Sequence, residues 1–411
     1  MASAQVVVLG GGAAGYFGAI RAAELGAPVV LLEATGTPLQ KVRISGGGRC
    51  NVTNAITDPA AFVTRYPRGA KELRGVLSRF GSRETMAWFE ERGVTLKTEP
   101  DGRVFPTSDD SETICACLER EAARLGVEVR THATVRAARA GDPLRLELKD
   151  GSTMDAAALL LATGSNPQGL ALARSLGHTV VPGVPSLFTF EVDDPRLEGL
   201  AGVAVPRVRA KAIVGGKTFE QEGPLLVTHW GLSAHAVLRL SAWAAREFSE
   251  AKYQAELVVD FLPDAKDDAI RAAADQMRQR HPRGTIGAHP LMDFVPRRLW
   301  ERLVVAAGGD VEMRWAEVPK RGVAQLVEQL KRAKFQVTGK GPFREEFVTA
   351  GGLARSEVDW RTMESKVVPG LHFAGEVLDV DALTGGFNLQ NAWSTGWIAG
   401  NAIGARLGGP G

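Results

Sequence analysis

The stretch Val6-Val7-Val8-Leu9-Gly10-Gly11-Gly12-Ala13-Ala14-Gly15 constrains the fold of this chain more than any other. Four apolar residues run into a glycine turn, and Tyr16 to Leu25 continue with helical spacing, so the segment reads as strand, turn, helix. In Gly10-x-Gly12-x-x-Gly15 the first glycine permits the tight turn, the second lets a pyrophosphate approach the backbone, and the third lets the helix pack on the strand. Ala13 and Ala14 open that helix, whose free N–H groups and positive dipole end suit two phosphates. Gly26-Ala27-Pro28 stops it, and Val29-Val30-Leu31-Leu32-Glu33 reads as a second buried strand ending in an acid. Glu33 follows Gly15 by eighteen residues, close to where a carboxylate holds adenosine ribose hydroxyls. A glycine fingerprint alone is weak evidence in a chain with 47 glycines; here its context specifies a dinucleotide site, with NAD and FAD both open.

A length of 411 residues predicts two or three domains. Hydrophobic content of 45% and charged content of 23% are those of a soluble globular protein. A net charge of +2 gives no global argument for nucleic acid but leaves room for a local basic patch. Three cysteines do not make a disulfide framework and suit a reducing cytoplasm. Cys115-x-Cys117 has the wrong spacing for a redox pair and lies in the helical stretch Thr113 to Leu125, so it reads as core. The chain enters its first strand without a signal region, and no window holds eighteen uninterrupted apolar residues, so neither secretion nor a membrane span is expected. No metal-ligand cluster or nucleophile elbow is present in the pattern.

After Glu33, the run Ser45-Gly46-Gly47-Gly48-Arg49-Cys50-Asn51-Val52-Thr53-Asn54 combines close backbone approach with side-chain donors, which suits an extended polyanionic ligand. Lys41, Arg43 and Arg49 are candidates to neutralise phosphates or a polar ring edge, and Cys50 to lie near a reactive ring. Gly102 to Ser108 reads as a loop, and Leu144 to Leu148 as a half-exposed strand in a small antiparallel excursion. Ala156 to Leu161 is a buried run ending in Ala162-Thr163-Gly164, a second glycine turn that belongs at the same carboxyl edge of a parallel sheet.

From about Pro185 to Val348 the character changes. Phe188–Val192, Arg207–Val214, Leu225–Thr228 and Leu257–Phe261 read as short strands, with Gly215-Gly216 as a hairpin turn. Residues 265 to 333 are mostly helical, broken at Pro282, Pro290 and Pro296, and are the most basic part of the chain, from Arg278, Arg280 and Arg283 to Lys331, Arg332 and Lys334. Solvated helix faces and a contact with RNA or a phosphate-bearing substrate both fit that pattern. Gly339-x-Gly341 lacks a third glycine in register and is rejected as a second dinucleotide turn. The tail returns to the first pattern: Val367 to Phe373 lead into Ala374-Gly375-Glu376, and Thr384-Gly385-Gly386 opens a helix from Phe387 or Asn388 to Leu407. A carboxylate beside a helix start fits a flavin, with Glu376 accepting from ribityl hydroxyls and the helix end stabilising negative charge on the pyrimidine edge.

The segments Gly10 to Gly15, Ser45 to Asn54, Leu161-Ala162-Thr163-Gly164, Thr349-Ala350-Gly351-Gly352, Phe373 to Asp381 and Thr384 to Gln390 together closely resemble the BaiN/RdsA-like flavoproteins, described as NAD(P)/FAD-dependent oxidoreductases. The resemblance covers nearly the whole chain. It implies an α/β fold: a Rossmann-type FAD-binding domain over 1–185 and 349–411, split by an inserted β-rich domain over 186–262 and 334–348 with a helical subdomain over 263–333. FAD would lie with its pyrophosphate at Gly10, Gly12, Ala13, Ala14 and Gly15 and its ribose on Glu33. Its ribityl and ring parts would lie among Lys41, Ser45 to Asn54, Thr163, Gly164, Gly375, Glu376, Gly385, Gly386, Phe387 and Asn388. Only one dinucleotide fingerprint is convincing, so NADH or NADPH would visit the flavin transiently as donor. Family activities are reduction of carbon–carbon double bonds in small molecules and of uridine in ribosomal RNA to dihydrouridine, with oxidase activity also known in the group. The chain departs at Thr228-His229-Trp230-Gly231-Leu232-Ser233-Ala234-His235, where Ser-Gly-Pro is common, and at Phe387, where Tyr is common. The leading expectation is a cytoplasmic FAD-dependent reductase acting on a small-molecule or nucleobase substrate. An RNA-modifying flavoenzyme and a non-catalytic flavin sensor are the alternatives. Cys50, His229 and His235 are the candidate proton donors.

Overall fold

In the computed structural model, residues 5–291, 295–342 and 348–408 are described. The chain forms two units, one of residues 1–183 with 349–411 and one of residues 184–348. Of the segment 334–348 assigned from sequence to the inserted β domain, residues 343–347 lie outside the described residues.

The first unit is built on a seven-stranded sheet in the order Val358–Asp359, Glu364–Ser365, Leu371–Phe373, Ala158–Leu161, Val6–Leu9, Val29–Leu32, Glu128–Arg130. From Leu371–Phe373 to Glu128–Arg130 the strands are parallel. Val6 to Leu9 and Ala158 to Leu161 are buried throughout, as central parallel strands covered on both faces must be. The run from Ala156 is divided: Thr153–Ala156 closes an antiparallel meander with Val135–Arg139 and Leu144–Leu148, and Ala158–Leu161 alone enters the main sheet. The reading of residues 102–108 as a loop is corrected: Arg103–Pro106 is the middle strand of a small sheet with Thr53–Asn54 and Leu96–Thr98. Val104 and Phe105 are fully buried there, a tertiary placement that two apolar residues between Arg103 and Pro106 do not announce.

The last helix, Phe387–Leu407, packs along Ala13–Glu24 through glycines. A Cβ on Gly396 would lie 2.5 Å from the Ala14 carbonyl oxygen, and one on Gly400 would lie 2.3 Å from that of Gly18. At this separation Arg21 Nε reaches Asn401 Oδ1 at 3.1 Å. Phe17 then sits among Phe80, Trp88, Phe89 and Trp393 with ring centroids 4.5 to 6.1 Å away. Buried aromatic side chains of this kind each contribute about 1.5–3 kcal/mol by transfer from water.

The second unit carries a seven-stranded sheet whose long hairpin, Ala204–Val214 and Lys217–Thr228, turns at Gly215 and Gly216. The helices Asp267–Arg280, Arg297–Ala306 and Lys320–Lys331 are not a separate body: Ile270, Trp300, Leu303 and Leu326 share one apolar core with Leu257 and Val259 of the sheet.

Candidate functional site

Parallel register brings the carboxyl ends of four strands to one edge of the first unit. Leu9 is paired with Leu32 and Leu161, and Leu161 with Phe373. Gly10, Glu33, Ala162 and Ala374 are therefore the first residues beyond that edge, where open α/β sheets take their ligands.

At the turn each glycine has a different physical reason. Gly10 has φ +105°, a backbone region that disfavours side chains. A Cβ on Gly15 would fall 1.9 Å from the Gly10 carbonyl oxygen, so only glycine lets the helix start there. Gly12 has ordinary extended dihedrals and nothing within 4 Å of its missing Cβ. Neither conformation nor packing demands glycine at that position, which is what a surface shaped for a closely approaching ligand looks like. Glu33 closes the turn: its Oε2 accepts from Gly11 N–H at 2.7 Å and its Oε1 from Thr35 N–H and Oγ1 at 2.8 Å each. A carboxylate accepts about four bonds, so one acceptor position is left for a further donor.

Beside Glu33 lies a cavity of about 130 Å³ bordered by Gly10, Thr35, Thr134, Val135, Thr163 and Gln168. Thr163 borders the cavity, and its Oγ1 is buried against Gly169 without a hydrogen-bond partner among the described residues. A buried hydroxyl of that kind costs about 1–3 kcal/mol unless a ligand or water satisfies it. Thr35, Thr134, Val135 and Gln168 were not singled out in the sequence. Residues 133–135 reach the site because Glu128–Arg130 pairs beside Val29–Leu32, and no local pattern reports that pairing.

The Ser45 to Asn54 segment is not an open loop. Gln40–Gly48 is helical but broken at Ser45, Gly46 and Gly47, and Gly46, Gly47 and Gly48 all have positive φ. Ser45 Oγ donates to the Val42 carbonyl at 2.8 Å. Gly47 and Gly48 face open space, whereas a Cβ on Gly46 would meet Asn51 N at 2.9 Å. The segment then docks on the start of the last helix. Asn54 Nδ2 donates to the Gly385 carbonyl at 3.2 Å, and Trp393 Nε1 donates to that of Val52 at 2.9 Å. With its amide turned to satisfy both atoms, Asn51 accepts from Gly386 N–H at 2.9 Å. Gly386, φ +90°, lies so close to Thr53 that a Cβ would fall 2.4 Å from its carbonyl oxygen. No side chain caps the helix that follows, so first-turn N–H groups stay available.

The charged residues divide differently from the sequence reading. Lys41 Nζ donates to Glu376 Oε2 at 2.7 Å, beside Gly164 (φ +63°). Arg43 is engaged with Glu112 and Glu119, and Arg49 with Glu99 at 2.7 Å while lying over the Phe105 ring. None of the three stands unpaired to neutralise phosphate. Negative charge at this edge would meet backbone N–H groups and the Ala13–Glu24 helix end instead. Cys50 is fully buried, and burial pushes its thiol up to about 12, so the thiol stays protonated. Its φ of +59° completes the turn that delivers Asn51. His229 and His235 are exposed residues of the second unit.

Phe387 is buried against Phe62 and Tyr66, and Tyr66 Oη donates to its carbonyl at 2.6 Å. Asn388 uses both amide atoms on the backbone of Ala382, at 3.0 and 3.1 Å, which closes the loop before the helix. The same loop is anchored by a buried ion pair of Arg68 with Asp381, a device that no sequence pattern suggested. Gly375, φ +75°, packs on Ala14, and its N–H donates to Thr395 Oγ1 at 2.9 Å. Among the described residues no cluster of His, Cys, Asp and Glu is placed to hold a metal ion, and no helix is long and apolar enough to cross a membrane.

An open Gly12, an acid with one spare acceptor, an unpartnered Thr163 hydroxyl beside a cavity, open Gly47 and Gly48, and an uncapped helix start lie on one unit. They fit an extended dinucleotide carrying a polar ring system. Fold and site define a Rossmann-type flavoprotein oxidoreductase. Residues 4–402 match the HI0933-like protein Rossmann domain, and the chain belongs to that family. It is 31% identical over 413 residues to the 3-dehydro-bile acid delta(4,6)-reductase of Clostridium scindens, covering 98% of this chain and 99% of that one. It is 32% identical over 407 residues to the ribosomal RNA dihydrouridine synthase of Escherichia coli, covering 96% of each. Among solved structures, the 3-ketosteroid-delta4-(5alpha)-dehydrogenase of Rhodococcus jostii superposes with a TM-score of 0.52 at 16% identity, over 97% of this chain and 96% of that one. The open form of a flavocytochrome c3 fumarate reductase gives the same score and identity over 98% of this chain and 78% of that one.

Proposed function

We propose that this protein is an FAD-dependent reductase that saturates an activated carbon–carbon double bond in a small-molecule or nucleobase substrate, with NADH or NADPH as donor. The observation that carries the reading is the parallel register that brings the strand ends before Gly10, Ala162 and Ala374 to one sheet edge, with Gly12 open beside it; along that edge Gly10 to Gly15, Glu33, Gly47, Gly48, Glu376 and the start of Phe387–Leu407 would line the cofactor's path. FAD, when bound, supplies hydride transfer; the chain supplies binding, orientation and electrostatics. Backbone N–H groups at Gly12 to Ala14 hold the pyrophosphate, and Glu33 takes a ribose hydroxyl. Glu376, oriented by Lys41, accepts from the ribityl chain, and the first-turn N–H groups of the last helix hold the negatively polarised ring edge. The relatives in the family supply the bond type: one is named a delta(4,6)-reductase and the other a dihydrouridine synthase.

Anaerobic mixing of the FAD-loaded protein with each nicotinamide tests this. Bleaching of the flavin band, followed by its return on adding a conjugated enone or a uridine-containing RNA, is the expected result. A protein that holds FAD but is reduced by neither nicotinamide overturns the donor assignment. A reducible flavin that no double-bond acceptor reoxidises overturns the reaction.

A further inference from the structure

Most of the basic residues in the second unit's helical part are already engaged. Arg297 pairs with Glu301, Lys331 with Asp260, and Arg332 with Asp267 and Glu328, while Arg302 donates to the Glu198 carbonyl. One end of the helix layer is different. Arg278 Nη2 donates to the Val318 carbonyl at 2.6 Å, and at the other end Arg332 Nη2 reaches Asp267 at 2.8 Å. The helices Asp267–Arg280 and Lys320–Lys331 therefore run antiparallel, and the last residues of the first lie beside the first residues of the second. Ile286 N–H bonds to the Met313 carbonyl at 2.9 Å and Trp315 N–H to that of Gly284 at 3.0 Å, which adds the segment around Arg314 to the same end.

This packing gathers Arg280, Arg283, Lys320 and Arg321, all exposed, whose side chains carry no ion pair or hydrogen bond among the described residues, beside the exposed Arg314. The carboxylates at this end are Asp275, engaged with Arg278, Glu317, which accepts from Arg314 N–H, and Asp310, which accepts from Glu312 N–H and borders the same cavity as Arg321. Glu312 lies on the same segment. His281 and His289 stack at 4.6 Å within this end. The helix Lys320–Lys331 starts here behind Pro319 without a side-chain cap, so its positive end adds to the field. Neighbouring cations that share no internal acceptor repel one another, and a chain of phosphates is the partner whose charge spacing relieves that repulsion.

We propose that this end of the second unit is a docking surface for the phosphate backbone of RNA, with Arg280, Arg283, Lys320 and Arg321 as its principal contacts. It rests on the nucleobase form of the proposed function and assigns substrate capture to a surface separate from the flavin cradle's residues. The test uses the FAD-loaded full chain and a fluorescein-labelled RNA hairpin with a uridine-rich loop, titrated across salt concentration. The variants are Arg280→Gln with Arg283→Gln, and Lys320→Gln with Arg321→Gln; Arg297→Gln is the control that removes an engaged cation.

Each phosphate contact contributes about 0.7–0.9 to the slope of log affinity against log salt, so each double variant lowers the slope by about 1.4–1.8 and weakens binding about 25- to 60-fold near 0.1 M salt. The control binds like wild type, and thermal unfolding and flavin reduction by the nicotinamide are unchanged in all variants. Wild-type affinity in both double variants overturns the surface assignment, and so does equal weakening in the control. Binding of polyglutamate but not of the hairpin assigns the surface to an acidic protein and overturns the RNA partner. Loss of flavin reduction in the wild type is failure of the parent reading and is seen independently of RNA binding.

Discussion

Gly12→Ala separates fold from ligand more sharply than any other change in this chain. The residue has φ −91° and ψ −172°, which alanine adopts, and open space where the Cβ would go. Two small terms act on the ligand-free protein. Replacing glycine restricts the unfolded chain and stabilises by about 0.4–1 kcal/mol. Alanine is a poorer residue than glycine at the first position before a helix, which costs a similar amount, roughly 0.5–1 kcal/mol. The net is within about 0.5 kcal/mol of zero, or about 1–2 °C in Tm for a unit of this size. The cradle loses close approach to its N–H groups, and a charge-assisted hydrogen bond is worth about 1.5–3 kcal/mol, so FAD affinity falls about 10- to 150-fold. Gly15→Ala is the contrast: its Cβ lands on the Gly10 carbonyl, so the fold itself loses about 1–3 kcal/mol. Paired measurements of Tm without ligand and of FAD binding by fluorescence quenching check both. A Gly12→Ala protein with unchanged Tm and wild-type FAD affinity would refute the placement of the pyrophosphate.

Gly400→Ala drives a Cβ to 2.3 Å from the Gly18 carbonyl and must part the two helices, so Tm drops by several degrees and FAD retention falls with it. Normal retention at lowered Tm would mean that the last helix does not position the cofactor. Asp381→Asn weakens the buried ion pair with Arg68 and lowers stability in urea unfolding; unchanged stability would show that the pair does not anchor the loop. Stability also has two pH limits. Burial lowers His372 to about 4, with the Thr362 carbonyl bonded to its ring and Glu364 and Arg406 as charged neighbours. The unfolded chain therefore takes up a proton first, and stability is lost as pH falls from about 6.5 toward 4. Burial raises Cys50 to about 12, so stability present below about pH 8.5 is lost as pH rises toward that value, and the folded thiol resists alkylation at pH 8. His372→Gln flattens the acid limb; an unchanged limb would assign it elsewhere.

The parts of the site legible in the sequence are those written in contiguous residues. The glycine turn, Glu33 at a strand end and the Gly385-Gly386 helix start depend on local conformation, and local conformation has a residue signature. What was illegible depends on pairs far apart in the chain. Gly396 and Gly400 look like ordinary helix interior until Ala14 and Gly18 are set against them. Cys50 stands beside polar neighbours yet is sealed in the core, because its left-handed backbone turns the thiol inward. Arg43 and Arg49 look like phosphate ligands because their acids, Glu112, Glu119 and Glu99, lie fifty or more residues later. Residues 265 to 333 read as the most basic part of the chain. Folding sorts them into engaged and unengaged cations, and that sorting is tertiary.

Equilibrium titration of the folded, ligand-stripped protein with FAD tests the central claim most directly. One FAD bound per chain, with binding weakened in both Gly12→Ala and Glu376→Gln, is the result expected from a cradle built by both ends of the chain. A folded protein that takes up no FAD, or that binds it unchanged when either end is altered, would contradict it.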